Sequence, residues 1–287
     1  MSDLSPKEWV KQVVKQDEID KYLINGEDFI DEKQIRNDLR LNKDPDKQRI
    51  RDIMKKSLEI KRLSPAETAA LINVKDEELW EEMYETALKV KKKVYDNRIV
   101  FFAPLYLSNL CVNNCSYCGF RTENSEESRR ILSSEEIRKE TSVVVSEGHK
   151  RMIAVWGEHP KSDIDYMVDS MKTIYDVKEK APHGSGYGSI RRININAAPM
   201  KTADLRKLWE VGVGTYQVFQ ETYHKPTYRN VHPPQTIKGN YRWRLYALHR
   251  AMDAGIDDVA TGALFGLYDW NFEVMGLLYH AIDLERQ

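Results

Sequence analysis

From Ile99 onward the chain alternates short apolar runs with longer stretches whose apolar residues recur at helical spacing. The runs 99–107, 151–156, 191–197, 214–220 and 258–266 read as buried strands. Between them the pattern predicts helices starting near Ser133, Ser162, Thr202 and Tyr241, and a fifth from about Phe272 to the end. Ser133-Ser134-Glu135-Glu136 has the form of a capping box, in which serine and glutamate each satisfy a backbone N–H of the first turn. Strands alternating with amphipathic helices imply parallel pairing, in either a barrel or a doubly wound sheet. Five strands would leave a barrel with an exposed edge.

Residues 1–95 read differently, as helices without strands. A polar, mobile lead-in of about twenty residues is expected first. Ser64-Pro65-Ala66-Glu67 is a second capping box, with proline at the first helical position and apolar residues continuing to Leu71. A helix over about 76–95 would turn Leu79, Met83, Leu88 and Val94 inward. The expected division is a helical extension over 1–95 and an α/β barrel portion over 96–287.

Composition narrows the function classes. With 41% hydrophobic and 31% charged residues the chain reads as a soluble, cytoplasmic globular protein, and no apolar run approaches a membrane span. A net charge of −1 argues against nucleic acid as a partner. Lys89-Val90-Lys91-Lys92-Lys93 is the one basic cluster of note, and acidic residues upstream make it a solvated helix face.

The candidate chemistry is concentrated in one place. All three cysteines fall within Asn109–Phe120, as Cys111, Cys115 and Cys118. Thiolates are soft ligands, and three on one short loop suit an iron–sulfur cluster with one iron left open to a substrate or cofactor. Structural zinc prefers four ligands, and the next histidine downstream is His149. A disulfide framework fits poorly with an odd cysteine count and no secretory signal.

The strand ends offer further polar positions. Gly157-Glu158 follows the second predicted strand, Asn196 ends the third, and Gln220-Glu221 follows the fourth. In barrels such residues gather at the C-terminal face, where catalytic groups collect. Taken singly, Glu158 could be a capping carboxylate ahead of Pro160, and Asn196 a turn residue. The glycines of Gly184-Ser185-Gly186-Tyr187-Gly188 precede a strand, so a flexible loop is expected there instead of a dinucleotide fingerprint.

Cys-x3-Cys-x2-Cys, with Tyr117 before the last cysteine, resembles the signature of the radical S-adenosylmethionine (SAM) enzymes. The run Ala103–Phe120 is similar to their aromatic-amino-acid lyase branch. Gly157-Glu158-His159-Pro160, Phe219–His224 and Leu277-Leu278-Tyr279-His280-Ala281 most resemble the tyrosine lyases of [FeFe]-hydrogenase maturation. The resemblance, over roughly residues 28–287, implies a (β/α) TIM-type barrel, here incomplete, holding a [4Fe–4S] cluster on the three cysteines and SAM on Glu158, Asn196, Gln220 and Glu221. It implies that glycines of Gly262–Gly266 admit adenine, with close packing as the alternative, and that Tyr106 lines the amino-acid pocket, with a core tyrosine as the alternative. His280 would bind an extra iron of a second, auxiliary cluster or else fill the core.

The implied reaction is SAM cleavage followed by Cα–Cβ cleavage of L-tyrosine to p-cresol and dehydroglycine, the latter a source of CO and cyanide. The implied partners are an electron donor such as ferredoxin or flavodoxin and other hydrogenase maturases. A thiamine-pathway tyrosine lyase and a non-catalytic iron–sulfur scaffold are the competing readings. Against the family pattern the chain stops early, before a sixth strand, a substrate-binding arginine segment and the cysteines of the second cluster. A fragment of a longer protein is therefore expected.

Overall fold

The computed structural model describes residues 6–182 and 185–287. Its centre is a parallel sheet of five strands: β1 (Ala103–Ser108), β2 (Arg151–Trp156), β3 (Arg192–Asn196), β4 (Val213–Gln217) and β5 (Val259–Ala260). They lie side by side in chain order, so each connection crosses to the neighbouring strand and all C-terminal ends share one edge. The registers pair Ala103 with Met152, Met152 with Ile193, Ile193 with Val213, and Tyr216 with Val259.

Period-two alternation along the strands separates two faces. Met152, Ala154, Ile193, Ile195 and Tyr216 point into an apolar core with Met167, Met171 and Ile174 of the helix Ile164–Asp176 and Leu205 and Leu208 of Thr202–Glu210. Asn194, Asn196, Thr215 and Gln217 fall on the alternate positions and are only half-buried.

Strand β2 has the expected bounds; the two edge strands are shorter than expected. Ile99, Val100, Phe101 and Phe102 lie outside the sheet and are exposed, because pairing on β1 begins at Ala103. β5 keeps two residues, since only Tyr216 and Gln217 pair with it; farther along, Gln220 N–H still donates to Gly262 O at 3.0 Å.

Both capping boxes form, ahead of the helices Pro65–Ile72 and Ser134–Ser146. Asp163 and Asn240, one residue before the starts, cap Ile164–Asp176 and Tyr241–Leu245. The last helix is Trp270–Leu284, and Lys225–Val231 is a helix the pattern does not predict. Tyr187–Gly188 pairs antiparallel with Glu179–Lys180, so part of the expected flexible loop is a small hairpin; Gly184 lies outside the described residues.

The expected mobile lead-in is also corrected. Helices occupy Pro6–Val13 and Asp17–Asp20, because Trp9, Val10 and Val13 pack on a second core. Residues 1–5 lie outside the described residues. That second core joins Ile19, Ile30, Ile35 and Ala69 to Tyr223, Trp243, Tyr246 and Phe272, so early helices and late ones share one interior. In Glu77–Tyr95, Leu79 is buried, whereas Leu88 and Val94 are exposed: the buried apolar contact of that helix lies in its first half. No described helix is long and apolar enough to cross a membrane.

Candidate active site at the cysteine loop

The cysteine loop leaves the C-terminal end of β1 and is tied to the end of β2. Gly157 N–H donates to Ser108 O at 2.8 Å, and Val112 N–H to Glu158 O at 2.9 Å. Gly157 must be glycine here, because a Cβ would stand 2.2 Å from Leu110 O. On the outer side, Arg129 clamps the loop through four carbonyls: Nη1 donates to Asn109 O (3.0 Å) and Phe120 O (2.9 Å), and Nη2 to Arg121 O (2.5 Å) and Asn124 O (3.1 Å). On the inner side, Ser116 N–H donates to Val231 O at 3.1 Å, and the Tyr117 hydroxyl lies 2.7 Å from His232 Nε2.

Cys115 is buried, and Cys111 and Cys118 are half-buried. Phe120 N–H donates to Cys118 Sγ at 3.4 Å, and Asn113 Nδ2 to Cys111 Sγ at 3.7 Å. Burial raises the Cys115 thiol to about 11; Lys238 and Arg244 pull it down, and the other two cysteines push it up. Burial likewise raises Cys111.

Two carboxylates flank this loop and are shifted in opposite directions. Glu158 is raised, because burial outweighs the Asn113 hydrogen bond (2.5 Å) and the more distant Arg244 and Lys238. Glu221 is half-buried, and that desolvation works to raise it, but Lys238 Nζ at 2.8 Å and Arg244 Nη2 at 3.3 Å hold it below the usual range. Glu221 also adopts a left-handed backbone, φ 72°, which for a residue with a Cβ is a strained conformation characteristic of functional sites.

Several buried polar atoms here have no protein partner: Glu158 Oε1, both amide atoms of Gln220, and Asn114 Oδ1. Buried polar groups are normally satisfied, so their clustering marks a place that a polar ligand completes. A cavity of about 240 Å³ opens beside Glu158 and His159, bounded by Ala198, Pro199 and Met200 after β3 and by Trp9.

The expected site residues divide accordingly. Cys111, Cys115, Cys118, Glu158, Gln220 and Glu221 come together with Lys238 and Arg244. Glu158 is not a helix cap: the His159 side chain accepts the Lys161 N–H instead, at 3.1 Å. Asn196 is half-buried at the end of β3, paired in register with Gln217. Tyr106 is 58% exposed, edge-on to Phe120 at 6.1 Å, and so is not a core tyrosine. His280 lies in the aromatic interior, its Nδ1 2.8 Å from the Tyr223 hydroxyl and its Nε2 without a partner. Gly262 is filled by packing, since a Cβ would meet the Phe219 ring at 2.3 Å, and Gly266 (φ 109°) serves a turn.

A sequence model of the Radical SAM superfamily matches residues 105–280. The chain belongs to the radical SAM superfamily. Members of this family use a [4Fe–4S] cluster and SAM, and the chain supplies a fitting donor set: three thiols on one loop, a buried arginine and a half-buried lysine to offset thiolate charge, and unpartnered polar atoms beside them. Among the described residues no set of three or more His, Cys, Asp or Glu side chains is gathered to hold a single metal ion.

The chain is 28% identical over 235 residues to the 2-iminoacetate synthase of Escherichia coli (strain K12), covering 81% of this chain and 59% of that protein. It resembles the crystal structure of HydG, a maturase of the [FeFe]-hydrogenase, with a TM-score of 0.86 and 47% identity, covering 91% of this chain and 56% of that one. The HydG structure from Carboxydothermus hydrogenoformans gives a TM-score of 0.77 and 39% identity, over 95% of this chain and 59% of that one. The chain therefore spans a little over half the length of these relatives.

Asn113, Lys238, Arg244, Arg129 and His232 escaped the reading of the sequence. A signal existed for Arg244, a charged residue inside the apolar stretch Trp243–Leu248, and for Asn113, enclosed by the first two cysteines.

Proposed function

We propose that the chain is the SAM-cleaving part of a radical SAM tyrosine lyase that splits L-tyrosine into p-cresol and dehydroglycine for [FeFe]-hydrogenase maturation. The observation that carries the reading is the meeting of Cys111, Cys115 and Cys118 with the unsatisfied carboxylate of Glu158 and amide of Gln220 at one edge of a parallel sheet. The likeness to HydG supports this over the thiamine-pathway 2-iminoacetate synthase, which shares less identity with the chain. Residues 96–287 would form the barrel portion and 1–95 its helical extension.

In this reading the three cysteines hold the [4Fe–4S] cluster, and Glu158, Asn196, Gln220 and Glu221 hold SAM. Once bound and reduced by a donor such as ferredoxin or flavodoxin, the pair supplies a primary carbon radical able to abstract hydrogen from the substrate. The residues of this chain place and enclose the reactants. Lys238 and Arg244 offset negative charge beside Cys115, Gln220 offers a dry donor and acceptor, and Glu221 keeps its charge because two cations face it. Tyr106 is assigned to the amino-acid pocket. His280, buried and with Nε2 free, is assigned to an extra iron of an auxiliary cluster, whose remaining ligands would lie outside this chain.

Anaerobic reconstitution, dithionite reduction and SAM addition test the reading. The reduced cluster's EPR signal is expected to change on SAM addition, with 5′-deoxyadenosine formed, and Cys115→Ala should abolish both. A four-iron cluster retained in Cys115→Ala, or an EPR signal indifferent to SAM, would leave only an iron–sulfur scaffold or less.

A further inference from the structure

Asn113 stands between the first two cysteines and is 2% exposed. Its side-chain amide reaches two distant pieces of chain and a cysteine of its own loop. Nδ2 donates to Glu158 Oε2 at 2.5 Å and to Cys111 Sγ at 3.7 Å, and Oδ1 accepts the Lys238 N–H at 3.0 Å. An amide nitrogen carries two hydrogens, so both Nδ2 contacts can form together.

A simple brace for the loop would need only the Oδ1 bond and the backbone bond from Thr122 N–H to Asn113 O, 2.8 Å. The two Nδ2 contacts instead join a cysteine sulfur to a buried carboxylate. Glu158 is thereby fixed with Oε2 occupied and Oε1 unpartnered. A buried carboxylate oxygen left this way is costly until a donor reaches it, and an ammonium or N–H group of a bound ligand would answer it. On the sulfur side, a hydrogen bond favours the more electron-rich, reduced state of a cluster and raises its reduction potential.

We infer that Asn113 is a positioning residue that couples the cluster ligand Cys111 to the SAM ligand Glu158, setting both the ease of cluster reduction and the affinity for SAM. The inference rests on the radical SAM reading above.

The full chain, reconstituted anaerobically, is compared with Asn113→Ala, Asn113→Asp, Glu158→Gln and the Asn113→Ala/Glu158→Gln double variant. Asp keeps an acceptor for the Lys238 N–H but loses the amide donors. Iron per chain, the potential from an EPR-monitored titration and SAM affinity from calorimetry are measured. Expected are near-full iron in Asn113→Asp, a more negative potential, and SAM binding weakened roughly tenfold or more, the scale of one lost charge-assisted hydrogen bond. The double variant should bind SAM no more weakly than Glu158→Gln. Unchanged potential and affinity in Asn113→Asp, loss of iron in both Asn113 single variants, or additive losses in the double variant would each overturn the inference and leave Asn113 a loop brace. Failure of the unaltered chain to assemble four irons or to bind SAM would instead overturn the parent reading, and the coupling with it.

Discussion

His232 shows how a single side chain can be held in one protonation state by its surroundings. It is fully buried; its ring Nδ1 lies 3.0 Å from Tyr228 O and its Nε2 2.7 Å from the Tyr117 hydroxyl, a pairing that suits the neutral ring, with Nδ1 donating and Nε2 accepting. Burial, then Lys238 and Arg244, push its pKa down to about 2. Because the folded value lies below the unfolded one, the stabilisation is fully present above about pH 6.5 and is lost as pH falls toward 2. At pH 5, about 1.5 units below the unfolded value, the loss would be about 2 kcal/mol. The urea midpoint of the metal-free chain should fall between pH 7 and 5, and fall less in His232→Gln. Parallel pH profiles for the two proteins would show that this histidine does not drive the change.

At the scale of elements, the cysteine loop is a turn-rich segment without regular structure from Asn109 to Arg130, held in shape by Arg129. Its guanidinium is planar and carries four N–H donors on its two terminal nitrogens, which is why it can serve four carbonyls where lysine, with three donors on one nitrogen, could not. Arg129→Ala and Arg129→Lys should both lower iron incorporation and open residues 119–128 to limited proteolysis, at a cost of about 1–3 kcal/mol for the carbonyls left unpaired. Iron content and cleavage pattern unchanged in both variants would deny Arg129 that role. This clamp was not legible in the sequence, because hydrogen bonds to carbonyls leave no pattern of residue types. The central strand 151–156, both capping boxes and the clustered cysteines were legible, since periodicity, caps and thiol spacing are local. The extent of the edge strands and the inward face of the helix Glu77–Tyr95, whose bounds are as expected, differ from the reading where an apolar side chain needed a neighbour from elsewhere, as at Ile99 and Leu88. Arg244 and Lys238 belong to the same class: their meaning comes from Glu221, which the fold alone brings within reach.

Across the whole molecule, early and late segments of the chain close over a common aromatic interior. Phe29, His249 and Tyr223 surround His280, with ring separations of 5.2, 5.7 and 5.8 Å. His280 is held neutral, its pKa well below the usual value, by burial and then by His249. Its Nε2 has no partner, whereas a purely structural histidine would be expected to use both nitrogens. Removing the ring also strands the Tyr223 hydroxyl, which alone would cost about 1–3 kcal/mol, so alanine mixes two effects. His280→Asn separates them, because its amide can still meet Tyr223 while its affinity for iron is far lower. In a full-length protein carrying the auxiliary-cluster cysteines, His280→Asn should keep p-cresol formation from tyrosine and lose most CO and cyanide. A filling role predicts the reverse distribution: His280→Ala would lower stability, p-cresol and CO in parallel through its cavity, and His280→Asn would restore all three. Chromatography for p-cresol with a haemoglobin assay for CO reads the difference, and equal loss of the two products in His280→Asn would remove the iron-ligand role.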